Sequence, residues 1–430
     1  MRKNRVDVIT MGCSKNLVDS EQLMRQFSAN GYNVHHDAEI PNGEIVVVNT
    51  CGFIEQAREE SIQTILQLVK AKNEGRIGKL FVMGCLSERY QKELEEELPE
   101  VDKFYGKFNW RALLSDIGKA YHAMPGDSRL LSTPKHYAYL KVAEGCNRTC
   151  AYCSIPIMTG KYHSRPIEEI VNEAEALSRQ GVRELQLIAQ DLTYYGMDIY
   201  KEYKIAKLVR SLAKVEGIEW IRLHYAYPNN FPMDLLQVMR EEPKVCKYLD
   251  IALQHSSNAV LHAMRRQITK EETLQLLSEI RRAVPGIFIR TTLMVGHPGE
   301  TEEAFNDLLE FTKQVRFERM GAFSYSHEEG TYAYKHYIDE VPSDVKERRL
   351  EQLMSLQESI AMEQAERLVG TRQRVIIDRQ SDDCFIGRTE YDSPDVDPEV
   401  YVYSNKPLEV GQFYDVRIIK SEGYDTIGEV

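Results

Sequence analysis

Short apolar runs, each followed by a segment of helical period, recur through most of the chain, and no other feature restricts its fold as much. A run of five to eight apolar residues is short for a buried helix and suits a strand covered on both faces. Val6–Met11, Glu44–Asn49 and Lys79–Met83 are runs of this kind, with helical patterns over 17–30, 54–73 and 87–97. This alternation predicts an α/β unit over residues 1–122, an N-terminal doubly wound parallel sheet. The Pro-, Gly- and Ser-containing stretch 123–136 reads as a linker.

From Tyr137 the alternation restarts and runs longer. Strands are expected at 138–144, 184–190, 220–227, 248–254, 288–295 and 320–326, with helices near 167–180, 203–216, 231–242, 270–284 and 301–315. Six such units are too few for an eightfold barrel and predict a central partial, TIM-like (β/α)6 barrel over 137–341. Residues 342–369 carry one long amphipathic helix pattern, with Pro342 at its start and Gly370 after its end. Beyond it, Arg374–Asp378, Cys384–Thr389, Val400–Tyr403 and Tyr414–Ile419 are short strand patterns. Polar or glycine-containing turns part them, and together they predict a small five-stranded OB-like β-barrel over 370–430.

A chain of 430 residues is too long for one ordinary core, and 43% hydrophobic with 28% charged residues is a globular composition. No apolar run approaches membrane-spanning length, and Met1 to Asp7 lack the apolar stretch of a signal peptide. A cytoplasmic location and no membrane partner are therefore expected. The net charge of −12 counts against a partner held by phosphate neutralisation, while leaving room for a local basic groove.

Eight cysteines in a reducing cytoplasm point to metal ligation rather than to disulfides. Cys146, Cys150 and Cys153 have the spacing C-x3-C-x2-C directly after the first expected barrel strand, at the mouth where barrel active sites form. Three thiolates can hold three irons of a cubane cluster and leave the fourth open to a substrate or cofactor. Structural zinc would need a fourth ligand from elsewhere, such as His163. Cys13, Cys51 and Cys85 each follow an expected strand and precede an expected helix. In a doubly wound sheet those stations converge at the carboxyl edge, where ligands bind and helix N-termini favour negative charge. The neighbours Asn49, Thr50 and Ser87 read as helix caps. Cys246 and Cys384 stand apart and read as plain burial.

The segment Ala143–Cys153 resembles the signature of the radical SAM superfamily. The resemblance implies a four-iron cluster on Cys146, Cys150 and Cys153, with S-adenosylmethionine (SAM) chelating the open iron. Reduction then cleaves SAM to a 5′-deoxyadenosyl radical. By the same resemblance, Tyr152 packs beside cluster and adenine, and Gly296 and Glu300 lie at the strand end that approaches the adenine. His255 and Arg265 belong to the segment that contacts ribose and carboxylate. Without the resemblance, Gly296–Glu300 is a strand-to-helix turn with a helix-start acid, and His255 is a packed histidine.

Two three-cysteine sites in this order, ahead of a small β-barrel, resemble the methylthiotransferases over nearly the whole chain. The resemblance implies a cluster-binding N-terminal domain, a radical SAM barrel and a C-terminal TRAM domain. Both sites then hold 4Fe-4S clusters. The one on Cys13, Cys51 and Cys85 is implicated in carrying sulfur, and the other makes the radical. SAM serves as methyl donor and radical source, a sulfur donor and an electron donor are further partners, and C–H becomes C–S–CH3. No side chain beyond the cluster ligands is given a catalytic role. Met11–Glu21 and Tyr139–Cys146 resemble the RimO subgroup, which modifies the β-carbon of an aspartate in small-subunit ribosomal protein twelve.

Residues 370–430 hold 13 Asp/Glu against 7 Lys/Arg, a net of −6, which suits a basic ribosomal protein better than a tRNA. The alternative within the family is a tRNA adenosine methylthiotransferase of the MiaB type. From another class, a non-catalytic iron–sulfur electron carrier or sensor would normally close each cluster with a fourth ligand.

Overall fold

The computed structural model describes residues 1–107, 109–122 and 129–430. Arg2–Thr10 (β1), Asn33–His36 (β2), Gly43–Thr50 (β3), Lys79–Gly84 (β4) and Lys103–Phe104 (β5) form one parallel sheet in the order β2-β1-β3-β4-β5. Side chains alternate between faces along a strand, and β3 shows the consequence. Val46 and Val48 pack with Ile65, Leu80 and Leu86 on one face, while Val47 packs with Leu23, Phe27 and Leu113 on the other. Both faces of the sheet are thus covered, as the unbroken apolar runs require.

The central sheet contains Tyr137–Lys141 (β6), Glu184–Ile188 (β9), Trp220–Ala226 (β10), Val245–Gln254 (β11), Phe288–Val295 (β12) and Arg319–Ser324 (β13), all parallel. Two short strands, Ala143–Glu144 (β7) and His163–Ser164 (β8), pair antiparallel and clip the loop between them. Helices Ile167–Arg179, Ile205–Ala213, Asp234–Glu241, Lys270–Ala283 and Glu302–Val315 cover the outside with one apolar core. The inner side is polar: Glu184, Gln186, Arg222, His224 and Asp250 are all buried there. The long helix Ser343–Leu368 packs along β13 and leads to the last domain.

Arg372–Gln380 (β14), Phe385–Thr389 (β15), Val400–Tyr403 (β16), Phe413–Glu422 (β17) and Asp425–Glu429 (β18) close a barrel in the order β14-β15-β16-β18-β17. Its core is Val375, Ile377, Val400, Val402, Val416 and Ile418. The loop between β15 and β16 presses into the central sheet. Arg222 donates to the Glu390 carbonyl at 2.6 Å, Arg319 pairs with Asp392 at 2.6 Å, and Phe288 stacks on Tyr391 with centroids 4.1 Å apart. Arg388 of the last domain reaches Glu184 at 2.8 Å.

Residues 123–128 of the expected linker lie outside the described residues, and the rest of it is docked rather than loose. Buried Arg129 pairs with Glu21 at 3.2 Å and Glu173 at 3.0 Å, and His136 meets Asp378 at 2.7 Å. In the acidic stretch 392–399, Asp392 and Asp397 are taken up internally by Arg319, Arg290 and Tyr248. Cys246 is buried against Trp220, Tyr248 and Ile376 at the interface of the two barrels, and Cys384 is half-buried.

Candidate active site

β1, β3 and β4 are neighbours with matched ends, Thr10 beside Asn49 and Thr50 beside Gly84. Cys13, Cys51 and Cys85 therefore leave the sheet at one edge. Cys13 precedes the helix Ser14–Ala29 and Cys85 opens the helix Cys85–Glu97, whereas Cys51 stands four residues before the helix Glu55–Asn73. Two glycines let the loops close up. A Cβ on Gly12 would lie 2.7 Å from the Cβ of Cys51, and one on Gly52 would lie 2.8 Å from the Cα of Leu86, next to Cys85.

Asn16 ties the loops together: its amide donates to the carbonyls of Met11 (3.0 Å) and Thr50 (3.1 Å), and its Oδ1 accepts from the Cys85 thiol at 3.7 Å. Asn49 and Thr50 are not helix caps, contrary to the sequence expectation. Asn49 donates to the Asn16 carbonyl at 2.9 Å and Ser20 Oγ at 3.0 Å, and Thr50 to the Met83 carbonyl at 2.7 Å. Ser87 does not cap a helix either. Asn16 and Thr50 thus satisfy strand-end carbonyls of Met11, Thr50 and Met83.

Cys13 is exposed, Cys51 half-buried and Cys85 buried. Burial pushes the Cys51 thiol up, and it lifts Cys85 to about 12 against the pull of Lys107. Among the described residues, no three His, Cys, Asp or Glu side chains stand at single-ion distances. Cysteines on a cubane bind separate corners and need no such common point. The buried hydroxyls of Ser14 and Ser87, adjoining Cys13 and near Cys85, have no partner among the described residues. Unused donors beside clustered thiolates fit an anionic cluster.

The second trio sits on the loop clipped by β7 and β8. Gly145 has φ +85°, and a Cβ there would lie 2.1 Å from the Lys161 carbonyl. The Cys146 amide donates to Gly160 at 3.2 Å, and Cys153 to Cys150 at 3.2 Å. Burial raises Cys146 to about 12 and Cys153 well above the usual thiol range. Buried Arg266 points into this loop, donating to Cys150 Sγ at 3.5 Å and to the Tyr152 hydroxyl at 3.4 Å. Its neighbour Arg265 faces solvent instead, with its guanidinium 4.4 Å from the Tyr332 ring centroid.

His255, Gly296 and Glu300 meet in one buried network. The Ser257 amide donates to His255 Nδ1 at 2.9 Å, which leaves Nε2 as the donor to Glu300 Oε2 at 3.1 Å. The Gly296 amide donates to the same oxygen at 3.0 Å, and Arg349 of the long helix binds Glu300 Oε1 at 2.7 Å. Tyr152 meets the His297 ring edge-on, centroids 6.4 Å apart.

Arg266 Nε, Gln254 Oε1 and His297 Nε2 are buried without partners among the described residues. His297 Nδ1 faces the Pro298 carbonyl at 2.9 Å, so Nε2 is a free acceptor. Orphaned donors and acceptors around a cysteine loop fit a cofactor that carries ammonium, carboxylate and adenine groups, as SAM does. Sequence reasoning passed over Arg266, Gln254 and His297 as site residues, although all three lie in segments already singled out.

The two trios are linked. Ser154, next to Cys153, donates to the carbonyl of Phe53, two residues from Cys51, at 3.1 Å. A buried charge bridge also joins them. Lys141 pairs with Asp19 and, at 2.9 Å, with Glu144, whose other oxygen meets Lys107 at 3.0 Å. Burial opposes ionisation of Glu144, yet Lys141 and Lys107 hold it well below the usual carboxylate range. Nothing in the sequence announces this bridge, because its members come from three separate segments.

Comparison with known proteins agrees with these three units. Residues 5–106 match Uncharacterized protein family UPF0004, residues 140–312 the Radical SAM superfamily, and residues 369–430 the TRAM domain. The ribosomal protein uS12 methylthiotransferase RimO of Parabacteroides distasonis is 62% identical over 430 residues, with both chains covered completely. Proteins of the same name from Porphyromonas gingivalis and Bacteroides fragilis are 58% and 57% identical, again over 100% of each chain. Among solved structures, the radical S-adenosylmethionine methyltransferase TsrM of Kitasatospora setae superposes with a TM-score of 0.56 at 13% identity. The match covers 75% of this chain and 72% of TsrM, and it shows the shared fold alone.

Proposed function

The chain belongs to the RimO family of ribosomal protein uS12 methylthiotransferases, and from that membership we propose that it replaces C–H by C–S–CH3 on the β-carbon of an aspartate in uS12. It is a radical SAM enzyme. Cys146, Cys150 and Cys153 would hold the SAM-bearing 4Fe-4S cluster, and Cys13, Cys51 and Cys85 the second one. When bound, these cofactors supply the reductive bond cleavage, the sulfur and the methyl group. A sulfur donor and an electron donor are required as further partners.

The observation that carries this reading is the Ser154–Phe53 hydrogen bond, which joins a residue next to Cys153 to one near Cys51. Transfer of sulfur to a carbon activated at the other centre needs such proximity. The protein's own residues bind and orient. Arg266 reaches Cys150 and Tyr152, and the His255–Glu300–Arg349 network stiffens the strand ends beneath them. Tyr152, His255, Gly296 and Glu300 are proposed as SAM contacts, with Arg266 in the place first given to Arg265, which faces solvent.

A protein substrate is supported by the names of the relatives and by one acidic cavity. The last barrel exposes seven acids against six basic residues, among them Arg372, Arg374 and Arg417, so its own outer surface is close to neutral. Between that barrel and the long helix, a cavity of about 720 Å³ is lined by Glu351, Glu358 and Glu399. Acidic surface of this kind steers a basic protein and repels nucleic acid. Reconstituted enzyme offered SAM and reductant, with uS12 or with tRNA, is expected to add a methylthio group to uS12, read by mass spectrometry. Modification of tRNA alone would overturn the substrate assignment.

A further inference from the structure

A cleft of about 380 Å³ opens beside Cys13 and runs along the polar inner side of the central sheet, past Tyr225, Asp250, Arg290 and Asp395. Arg290, its cation, is already engaged: it lies 3.7 Å from Asp250 and 3.4 Å from Asp397. Lys15 differs. It is 8% exposed, and its ammonium rests on the ring of Tyr225, 3.4 Å from the centroid. Among the described residues it makes no hydrogen bond or ion pair.

A buried ammonium without an anion is costly, and a ring face offsets only part of that cost. Tyr225 is itself held in an uncommon state. Its φ is +61°, a left-handed conformation that bulky residues rarely adopt, and its amide donates to Asp250 at 3.2 Å. Asp250 is the carboxylate that feels the charge of Lys15, without direct contact between the two. Ser14 and Tyr225 line the cleft next to Cys13, and the Lys15 ammonium lies just behind that wall, covered by the Tyr225 ring.

We infer that Lys15 binds the side-chain carboxylate of the residue being modified, exchanging the Tyr225 ring for a charge-assisted hydrogen bond. The inference rests on the reading that the substrate is an aspartate. In that side chain the carboxylate is bonded directly to the β-carbon, so anchoring one places the other.

The test titrates purified uS12 against the reconstituted enzyme by fluorescence anisotropy, using native uS12 and uS12 with the modified aspartate replaced by asparagine. The native enzyme is expected to prefer the aspartate form by about tenfold or more. Lys15→Met should lose that preference and Lys15→Arg should keep part of it. Iron content and melting temperature report folding, and Lys15→Gln takes the place of the Met variant if the latter fails that check. An undiminished preference in the folded Met or Gln variant overturns the inference while leaving the substrate reading intact. A native enzyme that neither binds nor modifies uS12 overturns both.

Discussion

Gly12 stands so close to Cys51 that a Cβ on the glycine would lie 2.7 Å from the cysteine's Cβ and 2.8 Å from its sulfur. Its φ of +90° is also one that side chains disfavour. Gly12→Ala is expected to force two strand-end loops apart, at a cost of about 1–3 kcal/mol, and to dislodge Cys51. Iron bound after reconstitution should then drop towards half. Wild-type iron content would show that the loops absorb the added methyl group.

Replacing either cysteine trio by alanine should remove about half of the iron. SAM cleavage to 5′-deoxyadenosine is expected to vanish when Cys146, Cys150 and Cys153 are replaced. Replacing Cys13, Cys51 and Cys85 should leave some cleavage and no methylthio transfer. Full iron in both variants would refute the ligand assignments.

Glu300 and Arg349 are almost fully buried, and their ion pair is also the support for His255. Arg349→Met would leave a buried carboxylate without its cation, a loss of about 3–5 kcal/mol. Urea unfolding of the cluster-free protein measures it. SAM affinity should fall as well, because His255 and Gly296 share that carboxylate. A loss below about 1 kcal/mol would mean that the network relaxes around the gap.

His297 gives the protein an acid sensitivity. Burial holds its imidazole down to about 4, from an ordinary value of 6.5. Below pH 6.5 the unfolded chain takes up a proton that the folded one refuses, so stability present at neutral pH is lost as pH falls from 6.5 to 4. This one group accounts for about 3 kcal/mol over that window, with no further change below it. His297→Phe should flatten this part of the profile, seen by urea titration at pH 7.5 and pH 5. An unchanged slope would assign the sensitivity to other groups.

Much of this architecture is written locally. Val46–Val48 are apolar at every position because helices cover both faces of β3, and such a run is visible without neighbours. β18 is different. Thr426 and Gly428 are its inward residues, and a Cβ on Gly428 would lie 2.3 Å from Val416, so the barrel demands glycine where a strand pattern would show a large apolar residue. The cysteines were legible from spacing and from their stations after apolar runs. Arg265 and Arg266 were not separable, because the left-handed turn at Arg265, φ +57°, decides which guanidinium faces the cysteine loop. The Asp19–Lys141–Glu144–Lys107 bridge is invisible for another reason: each member alone reads as an ordinary surface charge.

The loop between β15 and β16 has a consequence for engineering. Arg222, Arg319 and Phe288 on the central sheet each hold a counterpart in it, at Glu390, Asp392 and Tyr391. Arg388 returns the grip on Glu184. A terminal barrel grafted in without matching residues at this loop and at position 388 would leave Arg319, Phe288 and Glu184 without these mates in the seam. Retargeting by domain exchange would therefore have to transplant both sides of the joint.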